Sequence, residues 1–186
     1  METFFNPLSV AIVGATEKPG SLPGIILKNL LSMGFKGKIY PVNPKYKTVF
    51  GLNCFPSIRD IPDEVALTVI AIPAPWVLDV LQQQAHKRIR HAIIISAGFR
   101  EKGAEGIEME ERIRRVAIEN DMRILGPNCL GVLDNYTNFT TSFLSWERVS
   151  IPKKGSLSIL SQSGAFAIAL LDLAAQEGLG IAKMIN

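Results

Sequence analysis

Short apolar runs recur through this chain. Each is followed by small, turn-forming residues and then by a stretch suited to a helix, and this recurrence constrains the fold more than any other feature of the sequence. The first instance is the most complete. Val10, Ala11, Ile12 and Val13 have the unbroken apolar character of a strand buried on both faces of a parallel sheet. Gly14 ends the run, and Ala15, Thr16, Pro19, Gly20 and Ser21 form a loop. Pro23 and Gly24 then open an apolar helix that Gly34 is suited to close. Read the same way, strands are expected at 8–13, 38–42, 66–72, 91–95 and 123–125. Helices are expected at 23–33, 76–87 and 107–120, the last from the stripe Ile107, Met109, Ile113, Val116 and Ala117. A short irregular strand near Val49 and a single turn capped by Ser57 complete this part. The alternation predicts an α/β fold, a Rossmann-like parallel sheet wound with helices.

In such sheets ligands bind beyond the carboxyl ends of the strands. The small-residue loops 14–21, 43–45, 73–75, 96–98 and 126–128 are all expected at that edge. The first loop runs into a helix whose opening amides have no internal partner and whose dipole favours an anion, so phosphate is the expected guest. After Gly14 the next glycine is Gly20, which is not the common dinucleotide fingerprint, so NAD is not implied. Where NAD proteins place an acid at the end of the second strand, this chain has Asn43, Pro44, Lys45, Tyr46 and Lys47. Two lysines without an acid suit a phosphorylated ribose, as in NADP or coenzyme A, although solvated surface lysines read the same way.

Beyond Leu133 the character changes. Asn135, Asn138, Thr140, Thr141, Pro152, Lys153 and Lys154 mark a polar, irregular stretch that reads as a linker strapped across the first domain. A strand at 156–160, a turn Ser161-Gln162-Ser163-Gly164, a helix at 165–177 and a strand at 180–185 then form a βαβ unit. The expected plan is a first domain at 1–134, a linker at 135–154 and the beginning of a second domain at 155–186. One βαβ unit does not bury its own sheet faces, so the chain is expected to be part of a longer protein or to pack on a partner.

Composition narrows the classes further. With 47% apolar and 20% charged residues, the 186-residue chain has enough apolar material for a core and too much charge for a membrane protein. No apolar run is long enough to span a bilayer, and acidic Glu2 stands where a secretory signal would be basic. A net charge of +3 from scattered lysines and arginines suits phosphate ligands and argues against nucleic acid. Cys54 and Cys129 lack metal-ligand spacing, so no metal site is expected, and free thiols indicate the cytoplasm.

Six motifs in order carry a resemblance: G-A-T-x-x-x-G-S at 14–21, V-N-P-K at 42–45, I-P-A-P at 72–75, I-S-A-G-F at 95–99, G-P-N-C-L-G at 126–131 and S-Q-S-G at 161–164. The set resembles the NDP-forming acyl-CoA synthetases, a group that includes ADP-forming acetyl-CoA synthetase and is similar to the succinyl-CoA synthetase alpha subunit. The resemblance implies a Rossmann-like CoA-binding domain followed by the start of a flavodoxin-like ligase domain. Carried over by position, Gly14, Ala15, Thr16, Gly20 and Ser21 would hold CoA phosphates, and Asn43, Pro44 and Lys45 would present the lysine to a phosphate. Ile72, Pro73, Ala74 and Pro75 would line the adenine or pantetheine groove. Ser96, Ala97, Gly98, Asn128 and Cys129 would approach the thiol end. Ser161, Gln162, Ser163 and Gly164 would aim a helix N-terminus at the phosphate that arrives on a phosphohistidine. The resemblance further implies ATP or ADP with Mg in the complete enzyme, a small carboxylic acid as substrate, and ligase and ATP-grasp parts outside this chain.

No catalytic residue is expected within the chain. His86 ends a helix and His91 begins a strand at the edge opposite the loops, so neither suits a phosphoryl shuttle. Cys129 reads as a buried, inert thiol, and Trp76 and Phe99 either stack on adenine or pack in the core. Two other readings stay open at this point: a non-catalytic CoA-binding module of a protein acetyltransferase, and an NADP-binding domain of an oxidoreductase.

Overall fold

The computed structural model describes residues 1–146 and 151–186. Residues 147–150 of the expected linker lie outside the described residues. Five parallel strands form the main sheet: β1 (Ser9–Val13), β2 (Lys38–Val42), β5 (Leu67–Ile70), β6 (His91–Ile94) and β7 (Arg123–Leu125), in the order β2-β1-β5-β6-β7. A small antiparallel hairpin, β3 (Thr48–Val49) and β4 (Leu52–Asn53), follows β2.

Both sheet faces are covered, which explains the unbroken apolar strands. Val10 and Ile12 of β1 join Leu67, Val69 and Ile93 beneath α1 (Leu22–Met33), whose Ile26, Leu27 and Leu30 are fully buried. Ala11 and Val13 point the other way, as strand alternation requires, toward α2 (Val77–His86) and α3 (Ala104–Glu119). The observed elements differ from expectation mainly at their ends. A 3-10 turn at Ala74–Trp76, with Pro75 inside it and Pro73 before it, precedes α2. Helix α3 starts three residues earlier than its apolar stripe suggests, since that first turn is mostly exposed and carries little apolar pattern.

A second sheet has the order β10-β11-β8-β9, built from β8 (Val132–Asp134), β9 (Phe139–Thr140), β10 (Lys154–Leu160) and β11 (Ile181–Ile185). Strand β10, helix α4 (Gly164–Gln176) and β11 form the expected parallel βαβ unit. Strands β8 and β9 add to it in antiparallel fashion, so the polar stretch after Leu133 supplies structure where an irregular strap is expected. Thr140, Thr141 and Ser142 are fully buried there. Their hydroxyls bond the backbone: Thr141 Oγ1 accepts from the Val132 amide at 2.9 Å, and Ser142 Oγ accepts from the Leu144 amide at 3.2 Å. Buried Asn29 of α1 donates to the Ser142 and Leu144 carbonyls at 3.0 and 2.8 Å and so fastens this segment across α1. Fully buried Asp134 bonds Lys183 of β11 and accepts from the Tyr136 amide at 2.8 Å, which ties β8 into the second sheet. No helix among the described residues is long and apolar enough to cross a membrane.

Candidate functional site

The chain leaves β1 in one direction to form β2 and returns to its other side with β5. Ligands of open α/β sheets bind at such a reversal, beyond the carboxyl ends of the strands. A cleft of about 720 Å³ lies there, between the loops that follow β1, β2 and β5. Gly14 forms one wall. Its φ is +95°, and a Cβ added to it would sit 2.6 Å from the Ala71 carbonyl oxygen and 2.8 Å from Ile72 Cγ2. Only glycine permits this approach of the first loop to the β5 loop.

Asn43 joins the first two loops. Its side-chain amide donates to the Ala15 carbonyl at 2.9 Å, and its Oδ1 accepts from the Lys45 amide at 3.0 Å. Lys45 is thereby held at the cleft, and its ammonium makes no ion pair among the described residues. Lys47 does not line the cleft. Thr16 Oγ1 donates to Tyr46 Oη at 3.3 Å and accepts from the Lys18 amide at 3.2 Å. Ile72, Pro73, Trp76, Pro56 and Ile58 give the cleft an apolar lining, with Trp76 exposed at the rim. One cation, the Thr16, Tyr46 and Ser57 hydroxyls and apolar walls, with the Asp79 carboxylate on the α2 side, suit a ligand with a phosphate at one end of a flat apolar body.

The first loop divides where the sequence suggested one cradle. The Gly14 and Ala15 amides both donate to the Val42 carbonyl, at 2.9 and 3.2 Å, and Ala15 is fully buried. Gly20 faces a different groove of about 700 Å³, lined also by Lys18, Gly24, Asn29 and Trp146. Ser21 is the N-cap residue of α1 but makes no side-chain cap, because its hydroxyl donates to the Lys18 carbonyl at 2.8 Å. Of the loop, the structure therefore brings Gly14 and Thr16 to the cleft, beside Asn43, Pro44, Lys45, Ile72 and Pro73. Ala74 and Pro75 line a separate hollow of about 70 Å³ with Phe99, which is buried and not available for stacking.

Farther along the strand ends, the β6 loop is braced. Buried Ser96 Oγ accepts from the Ile72 amide at 3.1 Å, so it serves as a strut between the loops after β5 and β6. The Gly98 amide donates to Glu101 Oε1 at 2.5 Å, and this bond holds the Glu101 carboxyl below its ordinary pKa. Ala97 is exposed. The Asn128 amide donates to the Ser96 carbonyl at 3.0 Å, which stitches the β7 loop to the β6 loop. Cys129 is buried, its Sγ lies 3.5 Å from the Ile94 carbonyl oxygen, and burial pushes its pKa up to about 11. It is a protonated thiol at neutral pH and no nucleophile.

The turn at 161–164 stands beside this loop. Ser163 caps α4, its Oγ accepting from the Phe166 amide at 3.3 Å, while Ser161 Oγ accepts from the Ser163 amide at 3.1 Å. Gln162 is exposed, and a Cβ on Gly164 would lie 3.3 Å from Leu130 Cγ. The two loops expected to serve the thiol end and the phosphate thus adjoin. The histidines lie elsewhere. His91 meets Phe4 edge-on at 5.4 Å between ring centroids, and burial lowers its pKa; His86 ends α2. No group of three or more His, Cys, Asp or Glu among the described residues is placed to hold a metal.

Tyr46, Ser57, Asp79 and Gln83 also line the cleft and carry no motif. Asp79 and Gln83 had a detectable signal: with Trp76 they follow helical spacing and so share one face of the helix that leaves the β5 loop.

A family model described as a CoA binding domain matches residues 8–135. Acetate–CoA ligase (ADP-forming) I of Archaeoglobus fulgidus is 38% identical over 186 residues, which is 100% of this chain and 26% of that protein. Acetate–CoA ligase (ADP-forming) of Methanocaldococcus jannaschii is 41% identical over 180 residues, 97% of this chain and 24% of that protein. The solved structure of the dinucleotide-forming acetyl-coenzyme A synthetase 1 of Ca. Korarchaeum cryptofilum, in complex with phosphate and ADP, has a TM-score of 0.91 at 38% identity. That match covers 100% of this chain and 39% of the other. The chain spans about a quarter of the length of these two curated relatives.

Proposed function

Because the chain belongs to the CoA binding domain family, we propose that it is the coenzyme A-binding portion of an ADP-forming acyl-CoA synthetase and that the cleft between β1, β2 and β5 takes the nucleotide end of CoA. The observation that carries this reading is the Lys45 ammonium, without an ion-pair partner among the described residues, beside the wall that Gly14 keeps open at the sheet's reversal. In this reading Lys45 meets a CoA phosphate, with the Thr16 and Tyr46 hydroxyls beside it. Ile72, Pro73 and Trp76 flank the adenine or pantetheine. The braced loops at Ser96–Gly98 and Asn128–Cys129 receive the far end, where CoA supplies the thiol that takes up an acyl group. The N-terminus of α4, with Ser161, Gln162, Ser163 and Gly164, offers amides to a phosphate.

The complete reaction joins a small carboxylic acid to CoA at the expense of ATP, with ADP and phosphate as products. Its phosphohistidine, its ATP-grasp part and any Mg lie outside this chain. We place the CoA-binding domain at 1–134, a joining segment at 135–154 and the start of a ligase domain at 155–186, in a cytoplasmic protein. Leu160, Phe166 and Leu173 of β10 and α4 are exposed by 84%, 59% and 51%, which supports a further domain or subunit covering this unit.

Thermal unfolding with CoA, NADP and NAD in turn tests the reading. CoA at a hundred times its Kd is expected to add about 2.7 kcal/mol, a rise of roughly 5–10 °C in Tm for a chain of this size. NAD is expected to leave Tm unchanged. A shift with NADP and none with CoA would overturn the reading in favour of a redox domain.

A further inference from the structure

The loop after β7 and the turn that opens α4 are bridged by a single side chain, that of Asn186 at the end of β11. The Asn186 amide donates to the Gly131 carbonyl at 3.0 Å. Its side-chain Oδ1 accepts from the Leu130 amide at 2.7 Å, and its Nδ2 donates to the Ser161 carbonyl at 2.8 Å. Leu130 follows Asn128 and Cys129 in one loop; Ser161 begins the turn capped by Ser163. The first of these loops is bonded in its turn to Ser96. Beside the main-chain pairing of Ile185 with Val132 and Leu160 and the Ser161 amide's bond to the Ile185 carbonyl at 3.1 Å, one carboxamide thus links directly the loop assigned to the thiol end and the turn assigned to phosphate. A carboxamide offers a donor and an acceptor on one short planar group, and here each finds a backbone partner of the opposite kind. The backbone of β11 pairs with both β8 and β10, so Asn186 projects from the strand that joins the two units.

We propose that Asn186 is a positioning residue for acyl transfer: by locking 126–131 against 161–164 it fixes the separation between the CoA thiol and the phosphate-binding helix N-terminus, and it contributes nothing to CoA affinity. The inference rests on the CoA reading above. In the transfer, a C–S bond forms at the acyl carbon as its C–O bond to phosphate breaks. The phosphate leaves with the bonding electron pair, and the thiol proton passes to solvent. Two reacting groups held on different loops are sensitive to displacements of an ångström or less.

The test uses the intact native protein with any subunit that accompanies it, as wild type, Asn186→Ala and Asn186→Asp. Three quantities are read: the Kd for CoA by calorimetry, kcat and KM for phosphate-dependent cleavage of acetyl-CoA, and hydrogen exchange at the Leu130 amide. In Asn186→Ala, kcat is expected to fall about 10–100-fold, with the CoA Kd and KM within about twofold of wild type and with faster exchange at Leu130. Asn186→Asp keeps the acceptor for Leu130, so its amide is expected to stay protected, with kcat between those of the other two proteins. An unchanged kcat in Asn186→Ala overturns the inference, as does a fall in kcat matched by an equal loss of CoA affinity. Wild-type protein that fails to bind CoA overturns the reading beneath it, and that result is distinct from either of the others.

Discussion

Gly14→Val is expected to remove CoA binding and to destabilise the first domain by about 3–5 kcal/mol, the sum of a strained backbone conformation and an overpacked contact. At φ +95° a β-branched side chain is disfavoured in any surroundings, and here the added Cβ would also meet the Ala71 carbonyl oxygen at 2.6 Å. That oxygen is main chain at the end of a central strand, so it does not swing aside as a side chain would. Such a loss is a large share of the whole stability of a typical domain. Gly20→Ala is the control. It has a positive φ of 73°, but a Cβ there would meet nothing within 4 Å. Its expected cost is about 1–2 kcal/mol, from the left-handed backbone alone, with CoA binding retained. Chemical denaturation of the two variants, each followed by a CoA titration, reads both effects.

Lys45→Glu is expected to weaken CoA binding roughly 10–100-fold, the loss of one charge-assisted contact of about 1.5–3 kcal/mol, and to leave dephospho-CoA binding little changed. The reasoning is local. Asn43 holds the Lys45 backbone at the cleft, and no acidic partner among the described residues neutralises its ammonium. A reversed charge there is adverse only to a ligand that brings a phosphate to that spot. Lys47→Glu changes net charge by the same amount outside the cleft and is expected to have little effect on either ligand. Equal losses for CoA and dephospho-CoA in Lys45→Glu would place the phosphate elsewhere.

The main sheet was readable because its signals are local. Strand β2 has its expected bounds, and the strand-end loops fall at one edge because every principal strand is parallel. The second sheet was less readable. Thr140, Thr141 and Ser142 look like solvent-facing linker, and only the tertiary structure reveals that their hydroxyls bond backbone groups inside a closed layer. The cleft divides in the same way. Gly14, Lys45 and Ile72 are legible since a strand ends beside each. Ser57 enters because Phe55 bridges to Val42 beside β2, a pairing with no sequence signature. The amides of Gly14 and Ala15 look free in a glycine-rich turn, yet the neighbouring strand's Val42 carbonyl uses both. Asn186 carries no motif, and its importance comes from loops that lie 56 and 25 residues away in sequence.

The groove of similar volume on the other side of the first loop is the natural competitor for CoA of the cleft at the carboxyl ends of β1, β2 and β5. Titration of ¹⁵N-labelled protein with CoA, followed by amide and indole chemical shifts, separates them directly. The expected result is perturbation at Thr16, Lys45 and Tyr46 and at the Trp76 indole, extending to Ala97, Gly98 and Asn128 at the far end. Perturbation confined to Lys18, Gly20, Lys28 and the Trp146 indole would contradict the assignment and move the ligand to the other groove.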